Sequence, residues 1–326
     1  MEHHQYLPEG WGGLSCQTRH NPRTLEQARE SGAILSGRAV LCDQGLNLQV
    51  DLGQCKGIIP RAETALGIQE GTTREIAVLS RVGKPVSFQV LGQEHGQWLL
   101  SRRNAQVATA RHYLAHLRPG DVIPARSTHL EPFGVFVDIG CGIVSMIGIE
   151  TLTVSRIPHP AERVRVGQDL YAIVRAVMPN RISLSHKELL GTWEENAEAF
   201  APGMTVQGIV RRVESYGAFI ELAPNLSGLA EYRSDLAIGD SVTVYIKAIL
   251  PERMKIKLVV LDRREERACR MLQRSDYFIT QGHLDRWQYH PSCCLEKQVV
   301  TEFCNLTKPS FEAIKKAPFG AGITIV

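Results

Sequence analysis

One internal repeat constrains this chain more than any other feature. With Phe133 set against Tyr216, two stretches run in register without a gap from Gly120 and Gly203 onward. Gly134 then meets Gly217, Phe136 meets Phe219, Val137 meets Ile220, Asp138 meets Glu221 and Ile139 meets Leu222. Self-similarity of this kind marks a supersecondary unit used more than once. Within YGAFIEL (216–222), small, aromatic and β-branched residues predict a strand. Ala218, Ile220 and Leu222 turn into a core, with Tyr216 and Glu221 on the opposite face. Gly217 permits a bulge or sharp coil that brings the Tyr216 and Phe219 rings to one surface. GMTVQGIVRRV (203–213) predicts the strand before it, and GDSVTVYIKAIL (239–250) and MKIKLVVL (254–261) predict two more.

The same grammar extends upstream. Residues 33–103 read as a strand meander, and carrying the register into them puts Leu46 and Gln49 where the aromatic pair stands in the other two copies. That first copy has the scaffold without the rings. An irregular arm and a short helix (TLEQARESG, stopped at Gly32) occupy 1–32. A linker helix over 104–117 stops at Pro119-Gly120, the second copy covers 118–187, and a second linker helix over 188–201 precedes Pro202-Gly203. The third copy runs over 202–262, and 263–326 begins with a charged helix, RREERACRMLQR, and continues as a tail with one small ordered patch. The fold class expected is all-β: three tandem five-stranded barrels joined by short helices, with irregular ends. A chain of 326 residues has room for them.

Composition narrows the function classes. Apolar content of 44% and charged content of 22% are ordinary for a globular protein. The formal charge, 37 − 34 = +3, permits a nucleic-acid partner without demanding one. No stretch is long and apolar enough to span a bilayer, and the N-terminus lacks the basic-then-apolar order of a signal peptide. The eight cysteines are scattered, with Cys42 and Cys141 inside strand patterns, so reduced thiols in a cytoplasmic protein are the expectation. No phosphate-binding glycine loop, HExxH or nucleophile elbow is present, and Asp138 and Glu221 are repeat equivalents and not a catalytic dyad. No enzyme, cofactor or small-molecule substrate is expected. His283, His290, Cys293, Cys294 and Cys304 raise a metal site, but they lack CxxC spacing, and adjacent cysteines hold one ion awkwardly. No metal is expected.

The candidate site follows from the repeats. Tyr216/Phe219 and Phe133/Phe136 are either packed core rings or exposed stacking platforms. The repeats already supply an aliphatic core, which favours platforms. Arg211, Arg212, Lys247, Lys255 and Lys257 are either a solvated face or phosphate contacts. A regular strand cannot present both arginines, and Arg212 is the one assigned outward. His129 and Arg181 complete the set in the second copy. Short strands with exposed rings and scattered cations describe a small barrel that stacks bases and tracks phosphates.

On these residues the chain resembles a known family. GMTVQGIV (203–210), YGAFIEL, NLSGLAE (225–231) and GDSVTV (239–244) are similar to the S1 RNA-binding domain, the five-stranded OB-type barrel of bacterial ribosomal protein S1. In the second copy VSRIPHPAERVRVGQ (154–168) and RISLSHK (181–187) carry the same likeness. The whole chain looks like the shorter S1-like proteins of Gram-positive, clostridial-type bacteria. The resemblance implies binding of single-stranded RNA, messenger RNA at the small ribosomal subunit, through the second and third copies, and an anchoring role on protein for the first. Departures stand beside it. The family's histidine after the Gly-Leu-Val turn is Glu231 in the third copy and Gly148 in the second. A family acidic residue on the fourth strand falls at Pro251. The basic residue on the last strand is kept as Lys257 but falls at Ser183 in the second copy. Two other readings stay open: a protein-interaction scaffold, and an accessory factor in RNA processing or degradation without catalysis of its own.

Overall fold

Short segments of alternating hydrophobicity roll into three closed five-stranded barrels. The computed structural model describes residues 6–16, 19–178, 181–268 and 270–303. Barrel 1 consists of β1 (Leu35–Cys42), β2 (Leu48–Asp51), β3 (Lys56–Ile59), β4 (Pro85–Glu94) and β5 (Gln97–Ser101), in the order β1-β2-β3-β5-β4. Barrel 2 consists of β6 (Val122–Glu131), β7 (Gly134–Asp138), β8 (Val144–Gly148), β9 (Asp169–Met178) and β10 (Arg181–Ser185). Barrel 3 consists of β11 (Thr205–Glu214), β12 (Gly217–Ala223), β13 (Leu226–Ala230), β14 (Asp240–Leu250) and β15 (Lys255–Arg267). Each barrel closes through one parallel pair, β3 with β5, β8 with β10 and β13 with β15. Closure leaves no free sheet edge.

Each barrel has its own core, built from the inward positions of its strands. Val50, Phe88 and Leu100 are fully or nearly fully buried in the first, Val137, Ile147 and Ala172 in the second, and Ala218, Ile220 and Leu222 in the third. The alternation read in YGAFIEL therefore places its aliphatic side as expected.

Of the two connections between barrels, the first is helical as expected and the second departs from the expectation. The helix Arg102–His116 starts on Ser101, whose side chain accepts from Asn104 N, and ends at Leu117. The second linker, expected to be helical over 188–201, holds only one short helix, Trp193–Ala197, after a 3₁₀ turn at Lys187–Leu190. Thr192 and Glu195 form a capping box at its start. Trp193 and Ala197 are drawn into the core of barrel 3, and Pro202 disfavours helical backbone at Ala201, so the segment turns out of the helix early.

The charged helix expected over 263–274 is also corrected. β15 carries on to Arg267, pairing Thr243 with Asp262, Val242 with Arg263 and Ser241 with Arg264 on β14. The long β14 offers its backbone to these residues, and Arg263 Nε ion-pairs with Asp240 at 2.7 Å, so sheet pairing overrides helical composition. Beyond a 3₁₀ turn at Arg274–Asp276, residues 277–303 lie across barrels 2 and 3. Val122 N donates to Gly282 O at 3.0 Å and Leu284 N to Gly120 O at 2.9 Å, while Phe278 N donates to Leu189 O. A two-stranded sheet, β16 (Arg286–Gln288) with β17 (Val300–Glu302), puts Trp287 and Tyr289 into the core of barrel 3. The N-terminal arm is likewise seated. Glu9 is buried between barrels, bound to Arg102 through Oε1 at 2.7 Å and Oε2 at 2.9 Å, and it accepts from Ser87 N at 3.0 Å. These contacts hold its carboxyl below the ordinary range, although burial pushes the other way.

Candidate nucleic-acid interface

A β-bulge decides which arginine reaches the surface. β11 and β12 pair Val210 with Ile220, then slip, and pair Arg212 with Phe219. The extra residue is Arg211. Arg212 thereby joins the outward row of the sheet with a half-exposed side chain, while Arg211 is 3% exposed. The same slip recurs in each barrel. In barrel 2 it pairs His129 with Phe136, and in barrel 1 Leu41 with Gln49. Arg212, His129 and Leu41 are therefore structural equivalents.

From that position an outward row can be followed across each sheet. In barrel 3 it reads Arg212, Phe219, Leu229, Lys257, each on the strand beside the last. In barrel 2 it reads His129, Phe136, Met146, Ser183. In barrel 1 it reads Leu41, Gln49, Ile58, Leu99. Barrel 3 thus offers a row that contains a ring and ends in a cation on each side, barrel 2 a row that contains a ring and ends in a histidine and a serine, and barrel 1 neither ring nor charge.

A second ring completes the first two faces. Tyr216, 64% exposed, meets Phe219 edge to face with centroids 6.2 Å apart and planes at 88°. Phe133, 54% exposed, meets Phe136 at 6.1 Å and 83°, and His129 lies 6.2 Å from Phe136. Edge-to-face packing holds one ring upright against another and leaves an open aromatic surface. The glycines make this possible. A Cβ on Gly217 would lie 2.4 Å from Ala230 O, and one on Gly134 would lie 2.5 Å from Ile147 O, so the backbone here closes onto the next strand. The flanking side chains are held alike, Arg212 Nε bonding Glu214 and His129 Nε2 standing 2.7 Å from Glu131 Oε1.

The remaining candidates scatter around these rows. Lys255 and Lys257 are exposed on β15, on either side of buried Ile256. Lys247 is exposed at the bulge of β14, where the register slips between Ile246 and Ala248. Arg181 is exposed at the start of β10, opposite Met178, two residues from the row itself. Glu231 is exposed just past β13. Among the described residues no three His, Cys, Asp or Glu side chains converge as a metal site would need, and Cys304 lies outside the described residues.

Glu221 departs from the expectation. Its register turns it outward from its own barrel, yet it is 0% exposed, because the loop after β8 of barrel 2 roofs it. Arg163 Nη2 from that loop lies 2.7 Å from Glu221 Oε1, and Arg211 bonds both Glu221 and Glu162. Burial draws the Arg163 guanidinium below its ordinary value, and Glu221 opposes that shift. The equivalent Asp138 is covered in the same manner by the N-terminal arm, accepting from Glu9 N at 2.7 Å and from Gly140 N at 2.8 Å. The outward acid of each of these two barrels is a docking point for another segment. Neither takes part in the open face.

Beside the barrel 3 face lies a cleft of about 380 Å³ that the sequence did not reveal. Arg212 and Phe219 form one wall, Val154–Arg156 of barrel 2 another, and Met254, Tyr289 and Lys297 close it. Val154 N donates to Asn225 Oδ1 at 3.0 Å, and Ser155 Oγ lies 3.0 Å from Ser227 Oγ, which fixes the two barrels at this seam.

The family described as "S1 RNA binding domain" matches residues 116–187. Small ribosomal subunit protein bS1 of Staphylococcus aureus (strain COL) is 27% identical over 261 residues, covering 77% of this chain and 64% of its own length. The small ribosomal subunit protein bS1 homolog of Bacillus subtilis (strain 168) is 32% identical over 226 residues, covering 66% of this chain and 56% of its own. The chain carries an S1 RNA-binding domain and is homologous to bacterial ribosomal protein bS1. It spans about 56–64% of the length of these two relatives. A multidomain protein with nucleic acid binding domains from Streptococcus pneumoniae aligns over 72% of this chain and 75% of its own, at 14% identity and a TM-score of 0.24. That likeness adds nothing on how the barrels are arranged. Among the described residues no helix is long and apolar enough to cross a membrane.

Proposed function

We propose that the chain binds single-stranded RNA without strong sequence preference, as messenger RNA on the small ribosomal subunit in the cytoplasm. Barrels 2 and 3 make the contacts, and no chemistry is done on the RNA. The observation that carries this reading is the row Arg212–Phe219–Leu229–Lys257, with Tyr216 upright against Phe219. Exposed rings take base faces of any sequence, and the flanking cations reach phosphates. His129, Phe133 and Phe136, with Arg181 at the margin, form a weaker second platform, because Ser183 stands where barrel 3 has Lys257. Lys247 and Lys255 extend the cationic surface of barrel 3.

Barrel 1 supports a different role. Its row of Leu41, Gln49, Ile58 and Leu99 offers neither stacking nor charge, and Leu41 and Val40 are about half exposed. Such a face suits contact with protein on the ribosome.

Fluorescence anisotropy of a labelled RNA about a dozen nucleotides long tests the reading. Stacking contributes about 1–3 kcal/mol per base, so Tyr216→Ala/Phe219→Ala weakens binding by at least about tenfold while circular dichroism stays unchanged. Affinity also falls steeply as salt rises. Wild-type protein that leaves the RNA unbound at low salt refutes the reading.

A further inference from the structure

The cleft between barrels 2 and 3 has the makings of a binding site that the open platform does not include. Its volume of about 380 Å³ falls within the range of roughly 300–1,000 Å³ usual for small-ligand pockets. Its chemistry is divided. Phe219 and Met254 present apolar surface, while Arg156, Arg212 and Lys297 bring positive charge. Arg156 and Lys297 are exposed, and neither is ion-paired with an acid among the described residues. The floor adds an independent sign. Arg211 lines the cleft with a side chain 3% exposed, and its Nη2 has no hydrogen-bond partner. An apolar slot with unpaired cations at its mouth and a spare donor beneath suits a flat heterocycle joined to an anion.

The position of the cleft selects the source of that ligand. Phe219 and Arg212 belong both to the platform of barrel 3 and to the cleft wall, so a strand crossing the platform runs directly into it. The opposite wall is fastened to barrel 3, because Val154 and Ser155 are bonded to Asn225 and Ser227. Tyr289 Oη donates to Asn225 O at 2.5 Å and fastens the C-terminal segment that carries Lys297. Arg156 thus reaches the RNA path of barrel 3 from barrel 2.

We infer that this cleft holds one nucleotide of the RNA strand that crosses barrel 3. The base lies against Met254 and the edge of Phe219, and the flanking phosphates lie beside Arg156 and Lys297. The inference rests on the reading of barrel 3 as an RNA platform. It makes the junction between barrels part of the binding site, where the platform alone would leave it as a spacer.

The test uses the full chain and the same RNA of about a dozen nucleotides, titrated across salt. Each phosphate contact on a single strand contributes about 0.7 to the slope of log affinity against log salt. Arg156→Ala/Lys297→Ala therefore lowers the slope by about 1.4, or about 25-fold in affinity at 0.1 M salt relative to 1 M. Arg38→Ala/Lys56→Ala removes the same charge from barrel 1, one exposed residue each from β1 and β3, and leaves binding unchanged. RNA carrying 4-thiouridine cross-links to the peptides containing Arg156, Met254 or Lys297. The inference is overturned if the cleft variant keeps wild-type affinity and slope while Tyr216→Ala/Phe219→Ala weakens binding, and the platform reading then survives. It is overturned equally if the barrel 1 pair loses as much as the cleft pair. Wild-type protein that binds no RNA at low salt removes both.

Discussion

The buried charges at the seam of barrels 2 and 3 give the sharpest stability test. Arg163 and Glu221 are 0% exposed and Arg211 is 3% exposed, with Glu162 at the margin. Two arginines and two glutamates leave the group neutral. Glu221→Gln leaves one positive charge without its counterion in a site closed to water. Removing one partner of a buried pair costs about 3–5 kcal/mol, a large part of the roughly 5–15 kcal/mol that holds a typical domain together. Replacing both fully buried partners, Arg163→Met/Glu221→Met, restores neutrality and leaves Arg211 paired with Glu162. That double variant stays within about 1 kcal/mol of wild type, because apolar side chains avoid the desolvation that the ion pair must offset. Urea denaturation followed by tryptophan fluorescence, to which Trp193 and Trp287 in the core of barrel 3 contribute beside Trp11 and Trp98, reads the two variants side by side. Glu221→Gln within 1 kcal/mol of wild type, or a double variant less stable than the single, would refute the reasoning.

Two further predictions concern the frame around the site. His186 is fully buried, its Nδ1 facing Leu152 O at 2.8 Å and its Nε2 facing the Tyr277 hydroxyl at 2.8 Å, and burial pushes its pKa down to about 4. A depressed histidine contributes stability that is present above its unfolded pKa of about 6.5 and is lost as pH falls towards 4, so unfolding free energy drops by about 2 kcal/mol between pH 7.5 and 5. Denaturation at both pH values shows this loss in wild type, and His186→Gln, which has no charge to gain, shows it diminished by that amount. Gly217→Ala forces a Cβ to within 2.4 Å of Ala230 O and costs about 1–3 kcal/mol, whereas Gly92→Ala meets nothing within 4 Å and stays within about 0.5 kcal/mol. Equal thermal midpoints for the two alanine variants would show that the backbone beneath Phe219 has slack.

The barrels were legible because their physics is local. Gly134 and Gly217, the rings beside them and the aliphatic alternation that follows all lie within a few residues, so the ungapped register exposed the same unit twice. The missing rings at Leu46 and Gln49 could be read the same way, and Gln49 indeed occupies the place of Phe219 opposite Leu41. The assignment of Arg212 outward was sound for a reason the sequence only hinted at. Strict alternation permits one of two adjacent arginines to face out, and the bulge selects which. The charged run at 263–267 misled because helix composition is a weak prior beside an unpaired stretch of β14.

What could not be read depends on residues far apart in the chain. Glu221 has the pattern of a solvated carboxylate, and only the arrival of Arg163 from another barrel makes it a buried counterion. The segment that supplies Arg163, HPAERV, stood out as a family signature, yet nothing local shows that it roofs the next repeat. The same holds for Arg156 and Lys297, which are 141 positions apart and share one cleft. Repeats hide such features by their nature. Aligning one copy with another brings out what the copies share, whereas a junction is made from positions at which they differ. Arg211 illustrates the point: its equivalents are Thr128 and Val40, so the register that exposes the stacking pair passes over the residue that binds the barrels together. In a tandem protein the repeated positions build the platforms, and the unrepeated charges beside them decide how one platform is fixed to the next.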